Sequence, residues 1–225
     1  MKIENLTIAY TNKNILKNIN IEIKPGDFVF LIGNSGSGKT SLIKALIGDL
    51  KPKGGKIFDS LGRDIYDFSL KELTKYRRTI GVIFQDYKLL KSKNVKENVA
   101  FAMEVCGYND KQISQKVPEV LSQVGLLNKK NNFIDTLSGG EAQRIAIARA
   151  LIHNPEMIIG DEPTGNLDPH NAEEIMSILL ELNKAGKTII IATHDDKIVN
   201  RLKKRVITFK EGIIFSDIEG GSYNL

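Results

Sequence analysis

An apolar run, Phe28-Val29-Phe30-Leu31-Ile32, breaks into Gly33-Asn34-Ser35-Gly36-Ser37-Gly38-Lys39-Thr40 and resumes as Ser41-Leu42-Ile43-Lys44-Ala45-Leu46-Ile47. No other stretch constrains the fold as tightly. The pattern G-x-x-x-x-G-K-[ST] between a strand and a helix is that of a phosphate-binding loop. Its glycines let the backbone curl so that successive N–H groups face phosphate oxygens, and the helix N-terminus behind them adds positive potential. Lys39 is then placed to reach β- and γ-phosphates, and Thr40 to offer its hydroxyl to Mg²⁺.

Two further strand ends carry chemistry-bearing residues. Met157-Ile158-Ile159-Gly160 runs into Asp161-Glu162, and Thr188-Ile189-Ile190-Ile191-Ala192-Thr193 runs into His194. In an open α/β sheet the carboxyl ends of the strands hold the ligand site. Asp161 would there complete a Mg²⁺ shell, and Glu162 would polarise an attacking water. Alone, the Asp161-Glu162 strand end reads better as a solvated terminus, an order that the loop at Gly33 reverses, and a lone histidine at a strand end is more often structural. The stretch Leu137-Ser138-Gly139-Gly140-Glu141 also carries two readings. Ser138 and Glu141 fit a capping box, and a capped helix N-terminus is itself an anion site.

Along the chain, strand-like and helix-like runs alternate. Strands are expected at Lys2–Ile8, Phe28–Ile32, Ile80–Phe84, Met157–Gly160, Thr188–Thr193, Arg205–Phe209 and Ile213–Ser216. Helices are expected at Lys39–Gly48, Leu70–Lys75, Val95–Val105, Ala142–Leu151, Pro169–Asn183 and Asp196–Leu202. Asp110–Val124 has a helical pattern that Pro118 should kink or end. From Lys88 to Thr136 only helix and loop are expected. With 225 residues, one domain with one sizeable core is the natural expectation. The net charge of +5 is spread over clusters that read mostly as solvated faces. Aromatics make up only 7% of the chain, too few to interleave a basic surface for nucleic acid, so no nucleic-acid partner is expected. Cys106 is the only cysteine, which leaves no disulfide framework and fits a reducing compartment. No apolar run approaches the ~20 residues that span a bilayer, and no signal-peptide core opens the chain. Any membrane part is therefore expected to be another polypeptide.

Taken together, from about Ile3 to about Phe215, these motifs resemble the ATP-binding subunits of ATP-binding-cassette (ABC) systems. The loop Gly33–Thr40 with Ser41 resembles the Walker A segment, and Gln85 in Ile83-Phe84-Gln85-Asp86 resembles the Q-loop glutamine. Leu137–Glu141 resembles the signature loop, and Asp161 with Glu162 resembles the Walker B aspartate and catalytic glutamate. Asn166-Leu167-Asp168 resembles the D-loop, His194 the switch histidine, and Tyr10 the aromatic that stacks on adenine. The resemblance implies a P-loop NTPase α/β fold of the ABC ATPase type, with a mixed sheet, an N-terminal antiparallel β part and an inserted helical subdomain at about residues 88–150. It implies ATP and Mg²⁺ as cofactors, with Thr40, Gln85 and Asp161 toward the metal and Glu162, His194 and Gln85 in catalysis. It further implies a homodimer on ATP binding, in which Ser138, Gly139, Gly140, Glu141 and Asp168 face the nucleotide held by the other copy. An integral membrane partner is expected to touch Gln85–Leu90, placing the chain at the cytoplasmic face of the membrane. Asp161-Glu162-Pro163-Thr164-Gly165-Asn166-Leu167-Asp168 resembles the branch that works mechanically on the envelope, and within it Ile80-Gly81-Val82-Ile83-Phe84-Gln85-Asp86-Tyr87-Lys88-Leu89-Leu90 followed by Glu97-Asn98-Val99-Ala100 resembles its cell-division members most. Lipoprotein-release and macrolide-type efflux subunits are the near alternative. Gly160 stands where the family more often has alanine, and Ala142 where it more often has glutamine.

Overall fold

The computed structural model describes residues 1–11 and 13–224. Its centre is a six-stranded sheet of order β5-β6-β7-β3-β8-β9. Five strands run parallel: β3 (Phe28–Gly33), β5 (Ile80–Phe84), β6 (Met157–Asp161), β7 (Thr188–Ala192) and β8 (Arg205–Lys210); β9 (Ile213–Ile218) closes the edge antiparallel. Every residue of β3 and β7 is buried, as expected of strands covered on both faces, whose sequences run apolar without alternation. Phe28, Phe30 and Ile32 face one core layer; Val29 and Leu31 face the other.

The first layer is helical. It holds α3 (Val95–Glu104), α4 (Asp110–Gln123), α5 (Gly139–Leu151), α6 (Pro169–Lys184) and α7 (Asp196–Leu202). The second layer joins α1 (Lys39–Leu46) to a three-stranded antiparallel sheet of order β2-β1-β4, formed by β1 (Lys2–Tyr10), β2 (Lys13–Glu22) and β4 (Gly54–Phe58). The helix α2 (Leu70–Arg78) adds Tyr76 to that layer. Full burial of a side chain such as Ile190 or Ile191 contributes about 1.5–3 kcal/mol, so the central strands anchor everything placed at their ends.

Register sets those ends level. Phe84 pairs with Asp161, Asp161 with Ala192, and Ala192 with Leu31. Gln85, Glu162, His194 and the loop after Gly33 therefore leave the same edge of the sheet.

Four expectations are corrected. β2 and β4 were not anticipated. In β2 the buried residues fall at Leu16, Ile19 and Ile21, because a left-handed Asn18 and register shifts against β1 break the period of two. β4 opens on two glycines and buries only Ile57 fully. α5 starts at Gly139 rather than Ala142, since the Ser138–Glu141 capping box offsets the poor helix propensity of two glycines. Finally, of the two outcomes expected at Pro118 the ending does not occur: α4 runs through it to Gln123. The bond that Pro118 forgoes leaves the carbonyl of exposed Ser114 to water, while Val117, Val120 and Leu121 keep the opposite face packed.

Candidate active site

Side chains that cap helices are the rule in this fold. Ser69, Asn94, Asn109, Ser138, Asp168 and Asp195 each accept a backbone N–H at the start of α2 to α7. Among the described α-helices α1 alone begins without a side-chain cap, on Gly38 at φ 103°. Its first-turn amides therefore stay available to an anion. Gly38 could not be another residue: a Cβ there would lie 2.5 Å from Leu16 Cδ2, and the backbone is left-handed. Gly36, also left-handed, has nothing within 4 Å of where its Cβ would be, so the loop stays open above it. Lys39 Nζ donates to the carbonyls of Gly33 at 2.6 Å and Asn34 at 3.3 Å, folding across the loop. Burial holds this ammonium below the usual lysine range, while Glu162 and Asp161 draw it back up. Its charge is thus partly desolvated and available to an anionic ligand.

The loop forms one wall of a cleft of 630 Å³ lined by Tyr10, Ile15, Gly33, Ser35 to Ser41, Gln85, Asp161, Glu162 and His194. A hydroxyl–carboxylate pair sits within it, Thr40 Oγ1 donating to Asp161 Oδ1 at 3.3 Å. Burial pushes the Asp161 carboxyl above its usual range; the Thr40 hydrogen bond works against that and Glu162 adds to it. Two adjacent hard oxygens fit Mg²⁺, which takes few protein ligands and fills its octahedron with phosphate oxygens and water.

Glu162 takes a left-handed backbone (φ 52°), locked by its N–H to Ala192 O at 2.9 Å. Such a conformation costs a non-glycine residue about 1 kcal/mol or more and recurs at sites where a side chain must be aimed. It aims the carboxylate at His194. Glu162 Oε1 lies 2.9 Å from His194 Nδ1, and Glu162 Oε2 accepts the His194 N–H at 3.3 Å. Gln85 lies with its side chain against the Glu162–Gly165 turn, where a Cβ on Gly165 would stand 3.1 Å from Gln85 Nε2. At the outer end Tyr10 is 44% exposed, a ring free to stack, its hydroxyl accepting from Ser41 Oγ at 3.4 Å.

Ser138, Gly139, Gly140, Glu141 and Asp168 do not line this cleft. The Ser138 hydroxyl accepts the Glu141 N–H, and the Glu141 carboxylate accepts the Ser138 N–H and pairs with Lys129. That Lys129 pair holds the Glu141 carboxyl below its usual range. Both glycines leave room for neighbours: a Cβ on Gly140 would strike Asn171, and one on Gly139 would lie 3.2 Å from Tyr87 Oη. Asp168 caps α6 through the Asn171 N–H at 3.0 Å. The chain therefore presents two separate groups of candidate residues, the cleft and the exposed Ser138–Gly139 turn.

Sequence reasoning missed a set of side chains that hold the site's backbone. Asn98, 1% exposed, accepts the Leu90 N–H and donates to the carbonyls of Leu90, Lys93 and Asn94. Asn166 Nδ2 donates to Gln85 O at 3.1 Å, and buried Gln143 Nε2 to Pro163 O at 2.6 Å. Asn98 alone was legible in principle. It lies beside Val95, Val99 and Met103 on the buried side of an amphipathic pattern, where an amide must find partners.

Comparison with known proteins gives the family and the fold. The ABC transporter family profile matches residues 16–165. The chain is 47% identical to the cell division ATP-binding protein FtsE of Bacillus subtilis (strain 168) over 216 residues, 96% of this chain and 94% of that protein. To the protein of the same name from Streptococcus pneumoniae (strain D39) it is 46% identical over 208 residues, 92% of this chain and 90% of that one. Among solved structures it matches a dimeric ATP-binding cassette in a post-hydrolysis state bound to ADP and Pi, with a TM-score of 0.87, 33% identity and 99% of each chain covered.

Proposed function

The chain belongs to the ABC transporter family and is an ATPase of that family; from that premise we propose that it closes as an ATP-bound homodimer and drives a membrane partner in cell division. One observation carries the dimer. The cleft holds a phosphate loop, a Mg²⁺-suited oxygen pair and a Glu162–His194 pair, yet Ser138 and Gly139 lie outside it on an exposed turn, with Gly140 buried behind them. A site split this way is completed by a second copy, each supplying its Ser138 turn and Asp168 region to the nucleotide of the other.

In this reading Tyr10 stacks on adenine, while Gly33–Lys39 and the uncapped start of α1 hold the phosphates with Ser41 beside them. Thr40, Asp161 and Gln85 would hold Mg²⁺, which would supply charge neutralisation for the phosphoryl group. Glu162 orients the attacking water, its carboxylate fixed by His194, whose exposed ring also faces the γ-phosphate position. ATP favours the closed dimer by its greater affinity for that state, and hydrolysis removes the bridging phosphate. Residues 88–150 serve as the helical subdomain that carries the Ser138 turn.

Identities of 46–47% across nearly the whole length support a cell-division ATPase of the FtsE type. The proposed partner is an FtsX-like integral membrane protein that touches Gln85–Leu90, with control of cell-wall hydrolysis outside the cell as the output. No helix among the described residues is long and apolar enough to cross a membrane, so the spanning part would come from that partner. The test is capture of tagged Glu162→Gln protein with MgATP from detergent-solubilised native membranes. Recovery of a protein with few spans and a large extracytoplasmic loop, alongside wall-hydrolase proteins, is the expected result. A multi-span permease, or a partner carrying lipoprotein or drug, would overturn the cell-division assignment and leave the catalytic one standing.

A further inference from the structure

Two consecutive non-glycine residues after Gln85, Tyr87 (φ 58°) and Lys88 (φ 51°), lie in the left-handed region. Their amides turn back on their own segment, Tyr87 N–H to Phe84 O at 3.2 Å and Lys88 N–H to Asp86 O at 2.6 Å. Both carbonyls go to one side chain. Arg149 Nη2 donates to Tyr87 O at 2.6 Å, and Nη1 donates to Lys88 O. Arg149 forms no carboxylate pair among the described residues, although it is half-buried. A desolvated guanidinium spent on two carbonyls makes sense where a rigid two-donor fork must fix a backbone shape, a task one ammonium cannot do.

We propose that Arg149 is the positioning residue that fixes the Gln85–Leu90 segment onto α5, so that this segment and the Ser138 turn move as one piece. Tyr87 completes the link. Its carbonyl is held by the last turn of α5, while its hydroxyl lies under Gly139 in the first turn. The other holds on the segment come from different elements, Asn166 on Gln85 O and Asn98 on Leu90. Among the described residues only the Arg149 fork hydrogen-bonds it to the helix that begins at Ser138, with the Tyr87 hydroxyl packed beside Gly139. A push on residues 86–90 therefore shifts the turn offered to the second nucleotide. The inference rests on the ATPase reading for the roles of Gln85 and Ser138, but the clamp itself is a feature of the nucleotide-free chain.

The plain alternative is that Arg149 merely complements the C-terminal dipole of α5. Three full-length variants separate the two: Arg149→Gln, Arg149→Lys, and Arg149→Gln with Lys88→Gly. Hydrogen–deuterium exchange is read without nucleotide, and ATP turnover separately. In Arg149→Gln the amides of residues 86–90 are expected to exchange about tenfold faster while the β-sheet is unchanged, as for a local opening. The same variant is expected to lose about tenfold or more in kcat with KM within about twofold, a pattern of mispositioning rather than lost binding. Arg149→Lys recovers part of the protection. Lys88→Gly recovers both protection and kcat, because glycine adopts positive φ unaided. Unchanged exchange in residues 86–90, a uniform rise through α5 and the sheet, or no recovery with Lys88→Gly would overturn the proposal. If Arg149→Gln does not fold, Arg149→Lys and the glycine double variant decide it by the same readings. Wild-type protein without ATPase activity would defeat the functional reading and leave the exchange result intact.

Discussion

Asp161, the proposed Mg²⁺ residue, shows how a single carboxyl is held against the preference of the fold. Burial keeps its carboxyl above the usual range, so the folded pKa exceeds the unfolded one. A carboxylate shifted this way destabilises the fold at pH above the raised value, and the penalty vanishes as pH falls below the unfolded pKa of about 4. Nucleotide-free Asp161→Asn should therefore melt higher than wild type at pH 7 and lose that advantage as the pH is lowered, while its Mg²⁺-dependent turnover collapses. Thermal unfolding of both proteins across pH, with an ATPase assay, checks this. Gly160, one residue earlier, reports on packing. A Cβ there would lie 2.9 Å from Ile191 Cδ1 and 3.0 Å from Pro163 Cγ. Gly160→Ala is expected to cost about 1 kcal/mol by overpacking, a fall of roughly 2–4 °C in melting temperature that Ile191→Val restores. That Asp161, Glu162 and Lys39 would meet in one cleft was legible in the sequence, because they stand at strand ends and at fixed spacing in the phosphate loop. Arg149 and Asn166 were not, since what they bind is backbone carbonyl, which has no sequence signature.

Among the elements, legibility followed burial. β3, β5 and β7 were read to within a residue because both faces are covered and the run is uniformly apolar. β2 was invisible because bulges and a left-handed Asn18 scramble its alternation, and its outward positions are lysine and asparagine. α4 shows tertiary packing overriding a local rule at Pro118. Since Ser114 already meets solvent, restoring the missing bond should contribute only on the order of 1 kcal/mol. Pro118→Ala is then expected to raise the melting temperature by about 2–4 °C with turnover unchanged, read by calorimetry and an ATPase assay. A larger gain would mean that the proline strains the helix rather than merely leaving a carbonyl to water.

For the whole molecule, the central point is that one chain carries two separated groups of site residues. The cleft collects Tyr10, the phosphate loop, Gln85, Asp161, Glu162 and His194; the Ser138 turn stands apart on the helical layer. The order of these motifs was legible in the sequence and the family resemblance implied their split between two copies, but the position of the Ser138 turn was not legible, because it depends on where α3 to α6 settle against the sheet. The most direct measurement is light scattering of Glu162→Gln protein with and without MgATP, with Lys39→Ala as the comparison. A doubling of mass on MgATP for Glu162→Gln alone, with turnover reduced at least ~100-fold as for loss of a positioned base, is the predicted result. A Glu162→Gln protein that binds MgATP and stays monomeric, or one that hydrolyses ATP at the wild-type rate, would contradict it.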